Sequence, residues 1–192
     1  MASEEYFGVD YEQARRKFLD AARGVGARVT GYTHPKQWSP NGSELVVDVA
    51  ELRSGGQPDL LLIISGTHGI EGFCGSGCQV GFLSNRVFEG LPKTVGVALV
   101  HALNPYGFAW LRRVNEDNVD LNRNFRDFER ALPFSQAYEA VHDLLVPADW
   151  DGPSRKATDL KIKELLESPQ AAAFQAAVQG GDGMGAGDGR KV

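Results

Sequence analysis

Cysteine, histidine, positive charge and long apolar runs are all scarce in this sequence, and each shortage removes a class of explanation. Two cysteines, Cys74 and Cys78, cannot form the disulfide framework that staples small secreted domains. The longest apolar run, Leu60 to Ile64, is strand-sized and far below the ~20 residues of a membrane span. Residues 1–20 carry Glu4, Glu5, Asp10 and Glu12 and lack the apolar centre of a signal peptide. These shortages lead to the expectation of a cytoplasmic protein. Lys and Arg number 20 against 25 Asp and Glu, and the net charge of −5 argues against nucleic acid or an anionic membrane as the main partner.

What is present fits one α/β domain with a real core: 192 residues, 42% of them hydrophobic. Tyr11, Ala14, Phe18 and Ala21/Ala22 recur at helical spacing, which predicts an amphipathic helix over 11–22 that ends before Gly24 and Gly26. Strands are expected over 27–32 and 45–52, with a loop from His34-Pro35 to Gly42 between them. Asp59–Ser65 is apolar throughout, the pattern of a strand covered on both faces in mid-sheet. A glycine-rich turn over 66–72, a helix over 73–83 and a second apolar strand over 94–101 follow. That order implies a crossover connection and a mostly parallel or mixed sheet. Further helices are expected over 135–145 and 155–178, the latter broken by Pro169. The chain therefore reads as one domain over 1–179 followed by a glycine-rich, disordered tail over 180–192.

Two segments carry chemistry-bearing residues. His68-x-x-Glu71 lies in the turn after an apolar strand, where open α/β sheets place their ligands. Histidine and glutamate are both zinc donors. The pair alone equally suits a solvated loop. The second segment holds Arg113-x-Asn115 and then Asp120-Leu121-Asn122-Arg123-Asn124-Phe125. Arginine grips carboxylates in a fork and stabilises an oxyanion, and asparagine both donates and accepts. A solvated charged loop is the bland alternative, and nothing in the residues themselves favours Arg113 over Arg112.

Taken in order, THGIEG (67–72), NPYG (104–107), RVN (113–115) and DLNRNF (120–125) resemble the motif set of the zinc carboxypeptidase family. The likeness is to its branch near succinylglutamate desuccinylase and aspartoacylase and to uncharacterised bacterial carboxypeptidase-like proteins. The resemblance is firm over about 45–130 and implies a carboxypeptidase-like α/β fold. It implies His68 and Glu71 as two zinc ligands, and Arg113 as the residue that polarises the scissile carbonyl. It assigns Asn122 and Arg123 to the substrate carboxylate, Asn115 to a supporting place and Asp120 to orienting the loop. The implied activity is zinc-dependent hydrolysis of an amide bond next to a carboxylate, in a peptide or an acyl-amino acid. The family also uses a third ligand histidine on a later strand and a glutamate general base. Neither has a match here, so the chain reads as the N-terminal portion of such a domain. A non-catalytic fragment or carboxylate-binding module is the alternative.

The remaining candidates have plainer readings. His142 lies in a helical pattern and reads as a surface or core-edge residue, while His101 ends a strand close enough to line a pocket. His34, before a proline, has no evident partner. Cys74 and Cys78, at i and i+4 on an apolar helix, read as small buried thiols rather than as donors to an ion shared with His68 and Glu71. Glu164 and Glu167 read as a solvated helix face, with neither assigned as a base. A sheet that lacks its later strands leaves an apolar edge open to self-association or to a covering chain.

Overall fold

The computed structural model describes residues 3–53, 55–125, 127, 129–130, 135–145 and 152–180. The chain divides into two compact units, Met1–Glu116 and Asp117–Val192. The expected tail over 180–192 lies outside the described residues except for Gly180.

The first unit begins with a 3-10 turn, Ser3–Tyr6, and helix α1, Tyr11–Gly24. Asp10 caps α1 by accepting the Gln13 amide proton at 2.7 Å, and the Gln13 side chain accepts from Val9 N–H at 3.0 Å. The first bond satisfies a donor that the first helical turn leaves without a partner, and the second ties the segment before the cap to the helix. The buried residues of α1 are Tyr11, Ala14, Phe18 and Ala22, the stripe that the sequence spacing predicts.

Strands β1 (Arg28–Trp38), β2 (Glu44–Leu52), β3 (Asp59–Ile64) and β4 (Val95–His101) form one sheet in the order β1-β2-β4-β3. Helix α2, Gly72–Ser84, connects β3 to β4, and only that pair is parallel. Both β1–β2 and β2–β4 are antiparallel, so the sheet is mixed rather than largely parallel. Link length explains this. The short connections over 39–43 and 53–58 can only reverse the chain, whereas a parallel pair needs a crossover such as α2.

Two strand expectations are corrected. β1 runs on through His34-Pro35 to Trp38, with an irregular register between Thr33 and Trp38. Proline, which lacks an N–H, is tolerated there because β1 is an edge strand. β3 is the opposite edge of the sheet, not a mid-sheet strand covered on both faces. Leu61 and Ile63 pack into the core, but Leu60, Leu62 and Ile64 are 66, 50 and 46% exposed.

The core lies between the sheet and helices α1 and α2, where Phe18, Ala22, Ala50, Leu52, Val80, Leu83, Phe88, Val97 and Leu99 are buried. Polar groups are threaded through it. Arg15 donates to both oxygens of the buried Asp48 carboxylate at 2.6 and 3.1 Å. The Gln79 side chain donates to the carbonyls of Ile63 and Val100, both at 3.0 Å, and accepts the Ser65 hydroxyl at 2.9 Å. It therefore ties α2 to the ends of the parallel strand pair.

The second unit contains a 3-10 turn, Leu121–Arg123, and helices α4 (Gln136–Glu139), α5 (His142–Leu145), α6 (Pro153–Leu166) and α7 (Ala171–Gly180). The helix expected over 135–145 is two short ones, interrupted at Ala140-Val141. Tyr138, His142, Phe174 and Ala177 are buried. No helix among the described residues is long and apolar enough to cross a membrane.

His101 is fully buried, stacked on Phe18 at a centroid separation of 4.5 Å, with Nε2 at 2.9 Å from the Ser76 hydroxyl. Burial, aided by the Arg15 charge, lowers its pKa to about 3. The unfolded chain takes up this proton near pH 6.5, the folded chain only near 3. Stability should therefore fall as pH drops through that window, by up to about 1.4 kcal/mol per pH unit from this residue. His101→Gln keeps a partner for Ser76 and cannot titrate. Urea unfolding at stepped pH should show a shallower acid loss for this variant; an unchanged slope would contradict the assignment.

Candidate functional site

The site is built from two turns at the carboxyl ends of the parallel strands. β3 leads into the turn over 65–71, and β4 leads into helix α3, Pro105–Ala109. The strand ladder continues past both ends, with Leu103 N–H donating to Ser65 O at 2.9 Å and Asn104 N–H to Gly66 O at 2.8 Å.

The NPYG segment has a local explanation. Asn104 caps α3 by accepting Gly107 N–H at 2.8 Å, and Pro105 occupies the first helical position, where a missing N–H costs nothing. Asn104 Nδ2 also donates to Thr67 O at 3.4 Å. Gly107 then meets the other turn directly. A Cβ on Gly69 would collide with the carbonyls of Gly107 and Arg112, and a Cβ on Gly107 with the Asn104 amide and the carbonyls of Arg112 and Val114. Gly69 N–H donates to Arg112 O at 3.0 Å, and Arg112 N–H to Gly107 O at 2.8 Å. These two glycines let one backbone lie against another.

This contact brings three of the expected site residues together. His68, Ile70, Glu71 and Arg113 line one cavity of about 220 Å³. His68 Nδ1 lies 2.6 Å from Glu71 Oε2, with the His68 side chain mostly buried and that of Glu71 mostly exposed. Glu71 is the residue from which α2 starts. The structure also separates the two arginines that the sequence left equivalent. Arg113 lines the cavity, whereas Arg112 contributes its main chain to the glycine contact.

The loop that carries Arg113 is tied to β1 on its far side. His34 Nδ1 accepts the amide protons of Lys36 and Gln37 at 3.2 and 3.0 Å, so Nε2 carries the ring proton and donates to Glu116 at 2.9 Å. Trp110 Nε1–H donates to Trp38 O at 2.9 Å. His34, which showed no partner in the sequence, therefore has one 82 positions away.

Asn122 and Arg123 belong to the second unit, both exposed on the 3-10 turn that Asp120 caps by accepting Asn122 N–H at 2.9 Å. Asn115 is half-buried on the segment that follows Arg113. His101 does not line the cavity; it is sealed in the core as described above. Cys74 and Cys78 are exposed rather than buried. Among the described residues, no group of three or more His, Cys, Asp or Glu converges on a point that could hold a metal ion.

The family model described as "Protein of unknown function (DUF2817)" matches residues 7–184. No curated protein matches. Among solved structures, the glutaminyl cyclase of Porphyromonas gingivalis is similar at a TM-score of 0.32 and 16% identity, over 50% of this chain. The chain spans 45% of that protein's length.

The glycine contact predicts a sharp contrast between substitutions. Gly69→Ala should cost about 3 kcal/mol in urea unfolding, because two carbonyls must move. Gly90→Ala, where a Cβ meets nothing within 4 Å, should stay within about 0.5 kcal/mol of wild type. Equal effects at the two positions would contradict the packing.

Proposed function

We propose that this chain, which belongs to the DUF2817 family of proteins of unknown function, carries part of the site of a zinc-dependent hydrolase of the carboxypeptidase or deacylase type. The observation that carries this reading is the convergence of His68 Nδ1 and Glu71 Oε2 in one cavity with Arg113, at the carboxyl end of β3. The motif resemblance supports the same roles.

The residues fit a zinc ion in part. Adjacent donors on a tetrahedral ion lie about 3.3 Å apart, given zinc–ligand bonds of roughly 2.0–2.1 Å. The His68–Glu71 separation of 2.6 Å opens to that value with a small side-chain rotation. A third protein donor is not found among the described residues. When bound, zinc would polarise a carbonyl and lower the pKa of a water. Arg113 would donate to the carbonyl oxygen as charge builds on it. Asn122 and Arg123 are assigned to a carboxylate, Arg123 through its fork geometry. The substrate class is a peptide or acyl-amino acid with a carboxylate beside the scissile amide. The β3 edge of the four-stranded sheet is proposed as a place of self-association.

The shortage of donors among the described residues favours a second reading, a carboxylate-binding module without chemistry. Zinc content separates the two. The purified chain, dialysed against a weak chelator, should retain zinc, and His68→Ala should weaken its uptake by more than about tenfold. Equal zinc in wild type and variant would remove His68 from the site. Zinc near zero in both, with acetyl-amino-acid binding that Arg123→Ala weakens by about 1.5–3 kcal/mol, would establish the second reading.

A further inference from the structure

The two edges of the sheet are unlike. β1 carries Arg28, Lys36 and the His34-Pro35 pair, and its register breaks between Thr33 and Trp38. Charge, proline and irregular register keep an edge strand from pairing with another chain. β3 has none of these between Leu60 and Ile64. Among the described residues, β4 is the one strand beside it.

The outer side of β3 can be assigned residue by residue. Asp59 N–H donates to Thr94 O at 3.3 Å and Ser65 N–H to Val100 O at 2.9 Å. Main-chain groups alternate in direction along a strand, and the ladder runs without a break from Asp59 opposite Val95 to Ile64 opposite Val100. Asp59, Leu61, Ile63 and Ser65 therefore turn N–H and C=O to β4, and Leu60, Leu62 and Ile64 turn theirs away from it. The same three residues have exposed side chains, while Leu61 and Ile63 lie against the core.

We propose that β3 pairs antiparallel with β3 of a second copy of this chain, about a two-fold axis at Leu62, and joins the two sheets into one. The pairing gives a geometry to the self-association proposed above and does not depend on the hydrolase reading. It sets Leu62 opposite Leu62, Leu60 opposite Ile64, Leu61 opposite Ile63 and Asp59 opposite Ser65. Each apolar residue meets an apolar one, and no like charges meet. Leu60, Leu62 and Ile64 fall at the hydrogen-bonded positions of this register, so Leu62 exchanges both main-chain bonds with Leu62 of the second copy, and Leu60 with Ile64. A slip by one residue would set their N–H and C=O groups against ones that already serve β4. A second copy fits better than an unrelated peptide, because one apolar run supplies both sides of the match. The two-fold also uses up the β3 edge, so assembly closes at a dimer.

Sedimentation of the full chain over a range of concentrations, under reducing conditions, tests this. It should show a monomer–dimer equilibrium. Leu62→Lys puts like charges opposite each other at the axis and should raise the dissociation constant by more than about tenfold. Leu62 is half exposed in the single chain, so circular dichroism should show an unchanged fold. Cross-linking reads the register. In a Cys74→Ser, Cys78→Ser background, Leu62→Cys should give a disulfide-linked dimer on mild oxidation. Opposite Cα atoms at a hydrogen-bonded position lie about 5.5 Å apart, within the roughly 4.4–6.8 Å that a disulfide spans. Leu60→Cys alone should not cross-link, and Leu60→Cys combined with Ile64→Cys should. A monomer at every concentration, or open-ended assembly, would overturn the proposal. So would a dimer that survives Leu62→Lys, or equal cross-linking by Leu60→Cys and Leu62→Cys, which would put association on another surface or register. Neither readout involves zinc, so this test can fail while the zinc experiment succeeds, and the reverse.

Discussion

The close approach of two main-chain turns, made by Gly69 against Gly107 and Arg112, is the contact on which the site depends. β3 and β4 run parallel and end side by side, so the segments that leave them must either diverge or pack together. Side chains at 69 and 107 would force divergence. Without them, Gly69 N–H reaches Arg112 O, and the turn bearing His68 and Glu71 is fixed beside the segment bearing Arg113. A backbone hydrogen bond of this kind contributes only about 1 kcal/mol net. Its consequence is geometric: it sets which side chains share a cavity.

Buried polar groups hold the strand ends that feed these turns. Gln79 bridges the carbonyls of β3 and β4 from α2 and accepts the Ser65 hydroxyl just before the first turn. His101 closes β4 against Ser76 and Phe18, and Asp48, paired with His101 across the sheet, is neutralised by Arg15. Leaving the Gln79 amide or the Asp48 carboxylate unmatched would cost about 1–3 kcal/mol, so the arrangement tolerates few alternatives there. His34 and Trp110 brace the Arg113 segment from β1. The side chains of the cavity therefore rest on hydrogen bonds made by residues that never reach it.

Much of the first unit was legible because its patterns are local. The α1 stripe, the β2 and β4 strands and the α2 boundaries follow from periodicity and turn residues. Strand order did not, because it depends on pairings between distant segments. The run DLLLII is apolar on both faces whether the strand lies mid-sheet or at an edge, so periodicity cannot place it. The two faces of α2 were equally opaque. Its buried side includes Ser76 and Gln79 and its exposed side two cysteines, so hydrophobicity points the wrong way. His34 and Glu116 meet across 82 positions with no local signal at all. The motif residues His68, Glu71 and Arg113 were found by their order along the chain, and only the fold shows why the glycines between them are needed.

Hydrogen exchange at the Gly69 amide tests this account most directly. The residue is in neither a helix nor a strand, and an ordinary loop amide at such a position exchanges quickly. If the turn is clamped against Arg112 O, Gly69 should be protected to a degree comparable with the amides of β4, and protection should be lost only with global unfolding. Exchange at the rate of an open loop, while β4 stays protected, would mean that the two turns are not held together and that His68, Glu71 and Arg113 do not share a preformed cavity.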